Sequence, residues 1–75
     1  MKLVMIEWLD SHIAPTWTRE PASEKALRCR SVGWLVNDGD AAKTLAGSMS
    51  VECDPQRCCQ ITIPAAAIVK MRTLR

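Results

Sequence analysis

The stretch spanning residues 60–74 constrains the fold most, because it holds two β-type runs joined by an apolar turn without glycine. Ile61 and Ile63 alternate with Gln60 and Thr62, the period-two pattern of a strand. Pro64 then fixes φ at the first position of a helical turn and removes a backbone donor, so the strand ends there. After Ala65, Ala66 and Ala67, the β-branched Ile68 and Val69 lead into Lys70, Met71, Arg72, Thr73 and Leu74. These again split between an apolar and a basic set, as a second strand would. The expected unit is strand, one short helical turn, strand.

Further strands precede it. In residues 2–9, Val4, Ile6 and Trp8 fall on one strand face and Leu3, Met5, Glu7 and Leu9 on the other. Both faces are largely apolar, whereas an antiparallel sheet with one wet side alternates cleanly. Two readings stay open, a strand buried from both sides within one chain and a strand whose second face meets another copy. Residues 29–36 return to strand character, with Val32, Trp34 and Val36 alternating against Cys29, Ser31, Gly33 and Leu35; Gly33 marks a bend or a close backbone approach. Trp8 and Trp34, set within strand patterns, are expected in the core. The run Asn37-Asp38-Gly39-Asp40 is the strongest turn signal, since Asp-Gly tolerates the positive φ of tight hairpins. Residues 41–49 form the return strand, and residues 50–56 carry a turn at Asp54-Pro55.

Residues 10–28 contrast with all of this. They show no sustained periodicity and contain Pro15 and Pro21, so they read as a long loop, with one or two helical turns expected after Pro21. Structureless loops longer than about 12–15 residues are uncommon in compact domains and are often functional. The expected fold is all-β, five short strands in one domain covering residues 1–75, a small barrel of the SH3-like or Sm-like type. That is an analogy of fold, and it carries no function.

Size and charge narrow the function classes. A chain of 75 residues buries only about 60% of the surface it exposes unfolded, so self-association is expected. Leu3 and Met5, on the second face of the first strand, are the residues expected at an oligomer interface. Hydrophobic residues are 48% of the chain and charged ones 24%, the composition of a folded domain. A net charge of +2 from scattered residues gives no broad footprint for nucleic acid. Glu7 and Asp10 interrupt the apolar start before it reaches the length of a signal peptide core, and no run approaches membrane-spanning length. The expectation is a soluble cytoplasmic protein.

The order of segments also resembles a family of small, mostly uncharacterised bacteriophage and prophage proteins. The resemblance rests on Val4-Met5-Ile6-Glu7-Trp8-Leu9-Asp10-Ser11, Trp17, Cys29-Arg30-Ser31-Val32-Gly33-Trp34-Leu35, Thr44-Leu45-Ala46 and Ile63-Pro64-Ala65-Ala66-Ala67-Ile68. It covers nearly the whole chain and brings no functional residues with it. What it implies is expression in the cytoplasm of an infected bacterium and action by binding.

Several constellations bear on chemistry. Cys29, Cys53, Cys58 and Cys59, with His12, invite a zinc reading, but Cys58 and Cys59 are adjacent and a strand would turn them to opposite faces. A disulfide from Cys53 to either later cysteine would close the Asp54-Pro55 turn, against the reducing state of a cytosol; buried free thiols are expected instead. Asp10, Ser11 and His12 are the residue types of a triad, with Cys29 an alternative nucleophile, yet consecutive side chains at a strand end diverge. No catalysis, no cofactor and no metal is expected. Trp17 reads either as an anchor for the loop or as a stacking platform. Arg28 and Arg30 flank Cys29 and point the same way in an extended segment, where they are either solvated or a clamp for a phosphate or carboxylate. Trp17, Arg28 and Arg30 are thus the candidate ligand residues. The expected partners are further copies of the chain and either a host protein or a small anionic nucleotide. The alternatives are a nucleic-acid module, with Lys70 and Arg72 joining the arginines in a basic strip, and a virion or assembly component.

Overall fold

The computed structural model describes residues 1–11 and 13–75. Its strands are β1 (Leu3–Asp10), β2 (Leu27–Asp38), β3 (Ala42–Met49), β4 (Arg57–Pro64) and β5 (Ile68–Thr73), with a 3-10 turn at Ala65–Ala67. The closing unit is therefore strand, turn, strand, with Pro64 (φ −58°) entering the turn. All five strands form one antiparallel sheet in the order β4-β3-β2-β1-β5. The sheet is not closed, since β4 and β5 are its two edges.

It is nevertheless strongly curled. Only Ala65–Ala67 separates Pro64 at the end of β4 from Ile68 at the start of β5, a reach of at most about 14 Å. Four interstrand spacings in a flat sheet would hold those edges about 19 Å apart. The edges must therefore converge at that end, where the Ala65 N–H donates to the Ala41 carbonyl at 2.9 Å.

The inside of the curl is the core. Val4, Ile6, Leu45 and Ile63 are each no more than 2% exposed, and Trp8, Leu35, Ile61, Ala67 and Ile68 pack against them. Each such large side chain taken from water contributes about 1.5–3 kcal/mol. The β1–β2 register sets Val4 opposite Gly33 and Ile6 opposite Ser31, so these positions line the same face. Trp8 Nε1 donates to Ser31 Oγ at 3.0 Å, which satisfies the indole at the margin of the core. A Cβ on Gly33 would stand 2.8 Å from the Ala46 carbonyl oxygen and 3.1 Å from Leu45 Cβ. The expected close approach is there, and only glycine fits it.

Four expectations need correction. Trp34 is half-buried on the opposite face, beside Leu3, because Gly33 takes the inward position of that register. No helical turn forms after Pro21. Instead β2 begins at Leu27, where Asp10–Leu27 and Leu9–Arg28 pairing extends the ladder and outcompetes a helix too short to stand alone. Gly39 has no positive φ, although the β2–β3 connection falls between Asp38 and Ala42 as the turn signal places it, and the ladder shifts register between Leu35 and Asn37. Trp17 does not anchor its loop: its relative exposure is 104%, and every described residue from 11 to 26 is exposed.

Candidate functional site

The outer face of β5-β1-β2 carries the only buried carboxylate among the described residues. Glu7 sits mid-strand between Met5 and Leu9, on the side away from Val4 and Ile6, and is 7% exposed. An unpaired buried charge is costly, so its partners decide whether this strand folds here at all. Arg30 stands directly across from it on β2, and Arg28 stands two residues along on the same face. Arg30 Nε donates to Glu7 Oε1 at 2.7 Å, and Arg28 Nη2 donates to Oε2 at 2.8 Å. Each carboxylate oxygen is thus matched by its own arginine.

These bonds from Arg28 and Arg30, in that order of effect, hold the Glu7 carboxyl at about 2, well below the ordinary 4.5, although burial pushes the other way. Glu7 stays ionised at any physiological pH. In return it fixes two guanidinium groups whose side chains remain 62% and 73% exposed. Each guanidinium spends one N–H on Glu7 and presents the rest of its fork outward.

Across β1 from these arginines, β5 adds two more cations. Lys70 pairs with Glu7 and Arg72 with Met5, so both project from the outer face, and both are exposed. Four cations around one carboxylate leave this patch positive, although the whole chain is only +2. Beside it runs an apolar stripe made of the cross-strand pairs Leu3–Trp34 and Met5–Val32, with Leu9 beyond. Leu3 and Met5 are half-buried, while Val32 is 57% exposed.

The residues singled out from the sequence are therefore only partly brought together. Arg28 and Arg30 share a face, and the carboxylate they clamp is the chain's own Glu7. Trp17 stands apart in the 11–26 loop, where it borders a shallow depression of about 420 Å³ with Thr18 and Arg19. Another depression, of about 260 Å³, lies between the ends of β3 and β4 near Cys58. Neither one is lined by Glu7 or its arginines. Glu7 was missed because its significance lies in register: a lone acid in an apolar strand signals nothing until two arginines at alternate positions are paired with it.

The thiols also depart from expectation. All four cysteines are free, but Cys53, Cys58 and Cys59 are exposed and Cys29 only half-buried, so these are not core thiols. No group of three or more His, Cys, Asp or Glu side chains suited to a metal occurs among the described residues. Asp10 closes β1 and Ser11 is exposed, while His12, weighed as a metal ligand and as a triad base, lies outside the described residues. No described helix is long and apolar enough to cross a membrane. No protein-family model, curated protein or solved structure matches the chain.

Proposed function

We propose that this chain is a non-enzymatic bacteriophage accessory protein that acts by binding, holding a small anionic signalling nucleotide of the host's defence and so removing it from circulation. The observation that carries this reading is the pair of exposed arginines fixed on a buried Glu7. Their forks are immobilised before any ligand arrives, which cuts the ordering cost of recognising a phosphate. Lys70 and Arg72 widen the positive patch. The low net charge favours a discrete site over a groove that tracks a phosphate chain. Trp17 joins the ligand only by movement of its loop. The resemblance to phage proteins supplies the setting, the cytoplasm of an infected bacterium.

On this reading the curled sheet works as a small barrel of the SH3-like or Sm-like type, with its gap between β4 and β5. Copies of the chain associate through Leu3 and Met5, covering the apolar stripe. A host protein seated on that stripe is the alternative partner. A nucleic-acid module is the second reading, favoured by Lys70 and Arg72 lying across β1 from Arg28 and Arg30 in one strip.

Calorimetric titration with a cyclic dinucleotide at low and high salt separates these. Sequestration predicts saturable binding with one discrete stoichiometry, lost by about tenfold or more in Arg30→Ala, the scale of a charge-assisted hydrogen bond. Absence of binding by the dinucleotide, with tight binding of single-stranded RNA that falls steeply with salt, would replace it with the nucleic-acid reading.

A further inference from the structure

Cys58 and Cys59 are neighbours on β4, an edge strand, and both are exposed. In a regular strand their side chains would point to opposite faces. Cys59, however, has a φ of 58°, the sole positive φ among described non-glycine residues. That left-handed residue breaks the alternation, and the two Sγ atoms come within 3.3 Å of each other. The β3–β4 ladder keeps one register on either side, Ala46–Gln60 and Ser48–Cys58, so Gly47 faces Cys59. A Cβ on Gly47 would stand 3.3 Å from Cys59 Cβ, tighter than an ordinary contact. Glycine at that position leaves room for the turned-out cysteine.

We propose that Cys58 and Cys59 form a dithiol chelate site for a thiophilic centre that takes two sulfurs, in the chemical class of the monosubstituted trivalent arsenicals. Geometry selects the class. With bonds to sulfur of about 2.3 Å, sulfurs at this separation subtend about 90° at the centre, whereas tetrahedral zinc needs about 109°. A trivalent centre with a lone pair is pyramidal, with bond angles near a right angle, and one organic substituent leaves it two positions to fill. The described residues offer no group of three or more metal-ligating side chains to complete a zinc site. Closure to a disulfide is disfavoured as well, because adjacent Cα atoms lie about 3.8 Å apart, short of the roughly 4.4–6.8 Å that disulfides span. The hydrogen bond shared with Cys58 also raises the Cys59 thiol above its ordinary pKa, as expected of two sulfurs sharing a proton.

The exchange balances without an oxidant. Two arsenic–oxygen bonds of the dihydroxy form break, two arsenic–sulfur bonds form, each thiol proton leaves in a water molecule, and the oxidation state is unchanged. The second bond closes intramolecularly at a sulfur already in place, which makes the adduct resistant to single thiols.

Phenylarsine oxide added to the reduced full-length protein and followed by native mass spectrometry tests this. One adduct per chain is expected, stable to excess 2-mercaptoethanol and removed by dithiothreitol. Cys58→Ser and Cys59→Ser should each weaken retention by about a hundredfold or more, while Cys29→Ser and Cys53→Ser retain it as wild type does. Stripping of the wild-type adduct by the monothiol, retention in either single variant of the pair, or an equal loss in Cys53→Ser would overturn the assignment.

Discussion

The two faces of β1 hide their residues by opposite means. Inward, Val4 and Ile6 are fully buried among Leu45 and Ile63, and the gain is the non-directional one of removing apolar surface from water. Outward, Glu7 is almost as hidden, at 7% exposure, yet it is covered by two arginines that are themselves largely solvated. The inner face needs only volume and shape. The outer face needs two particular donors at particular distances, so its burial yields position more than stability. One strand thus supplies both the core that holds the sheet and the charge that organises its candidate site.

The largest effect is expected on the inner side. Ile6→Ala should destabilise the fold by about 2–5 kcal/mol through lost transfer energy and a residual cavity, read from urea denaturation midpoints. A loss typical of surface positions would mean that the inner face is not the core. Next comes Gly33→Ala, opposite Val4, where the new methyl meets the Ala46 carbonyl at 2.8 Å. Overpacking of this kind costs about 1–3 kcal/mol, and a stabilised protein would show that the β2–β3 approach is looser than described.

Glu7→Gln sharpens the contrast through pH. A carboxyl lowered from 4.5 to about 2 contributes stability that is fully present above pH 4.5 and is lost as pH falls toward 2. Wild type should therefore lose stability over that window, and the gap between it and Glu7→Gln should narrow as the pH falls. Asp38, whose carboxyl Lys43 holds below its ordinary value, loses stability in the same direction in both proteins and cancels from the difference. Parallel acid limbs in the two proteins would show that Glu7 is not held by its arginines. Trp17→Ala, in the fully exposed loop, should change stability by no more than about 0.5 kcal/mol; a larger loss in thermal denaturation would restore the anchoring role.

Alternation made the closing unit legible, because Ile61 and Ile63 alternate with Gln60 and Thr62 and Pro64 has a definite backbone preference, while β1 and β3 are legible from apolar strand-forming residues and from the turn signal at residues 37–40. What alternation cannot supply is which strand lies opposite which, and at what offset. The strand pattern places Trp34 in the core, whereas Gly33 holds the inward position because Ala46 approaches it too closely for any side chain. Arg28 and Arg30 read from the sequence as either solvated or a clamp, and their carboxylate is not legible there, since Glu7 meets them only through a pairing more than twenty residues away in sequence. Cys59 was misread for a related reason. Its left-handed backbone is permitted by a glycine on the neighbouring strand, a dependence that no local pattern carries.

A carbon-detected NMR titration of the Glu7 side-chain carboxyl measures directly whether this carboxylate is fixed by Arg28 and Arg30. A midpoint at about 2 is expected, moving up toward the ordinary carboxylate value in Arg28→Ala and Arg30→Ala. A wild-type midpoint near 4.5, unchanged by either substitution, would contradict it.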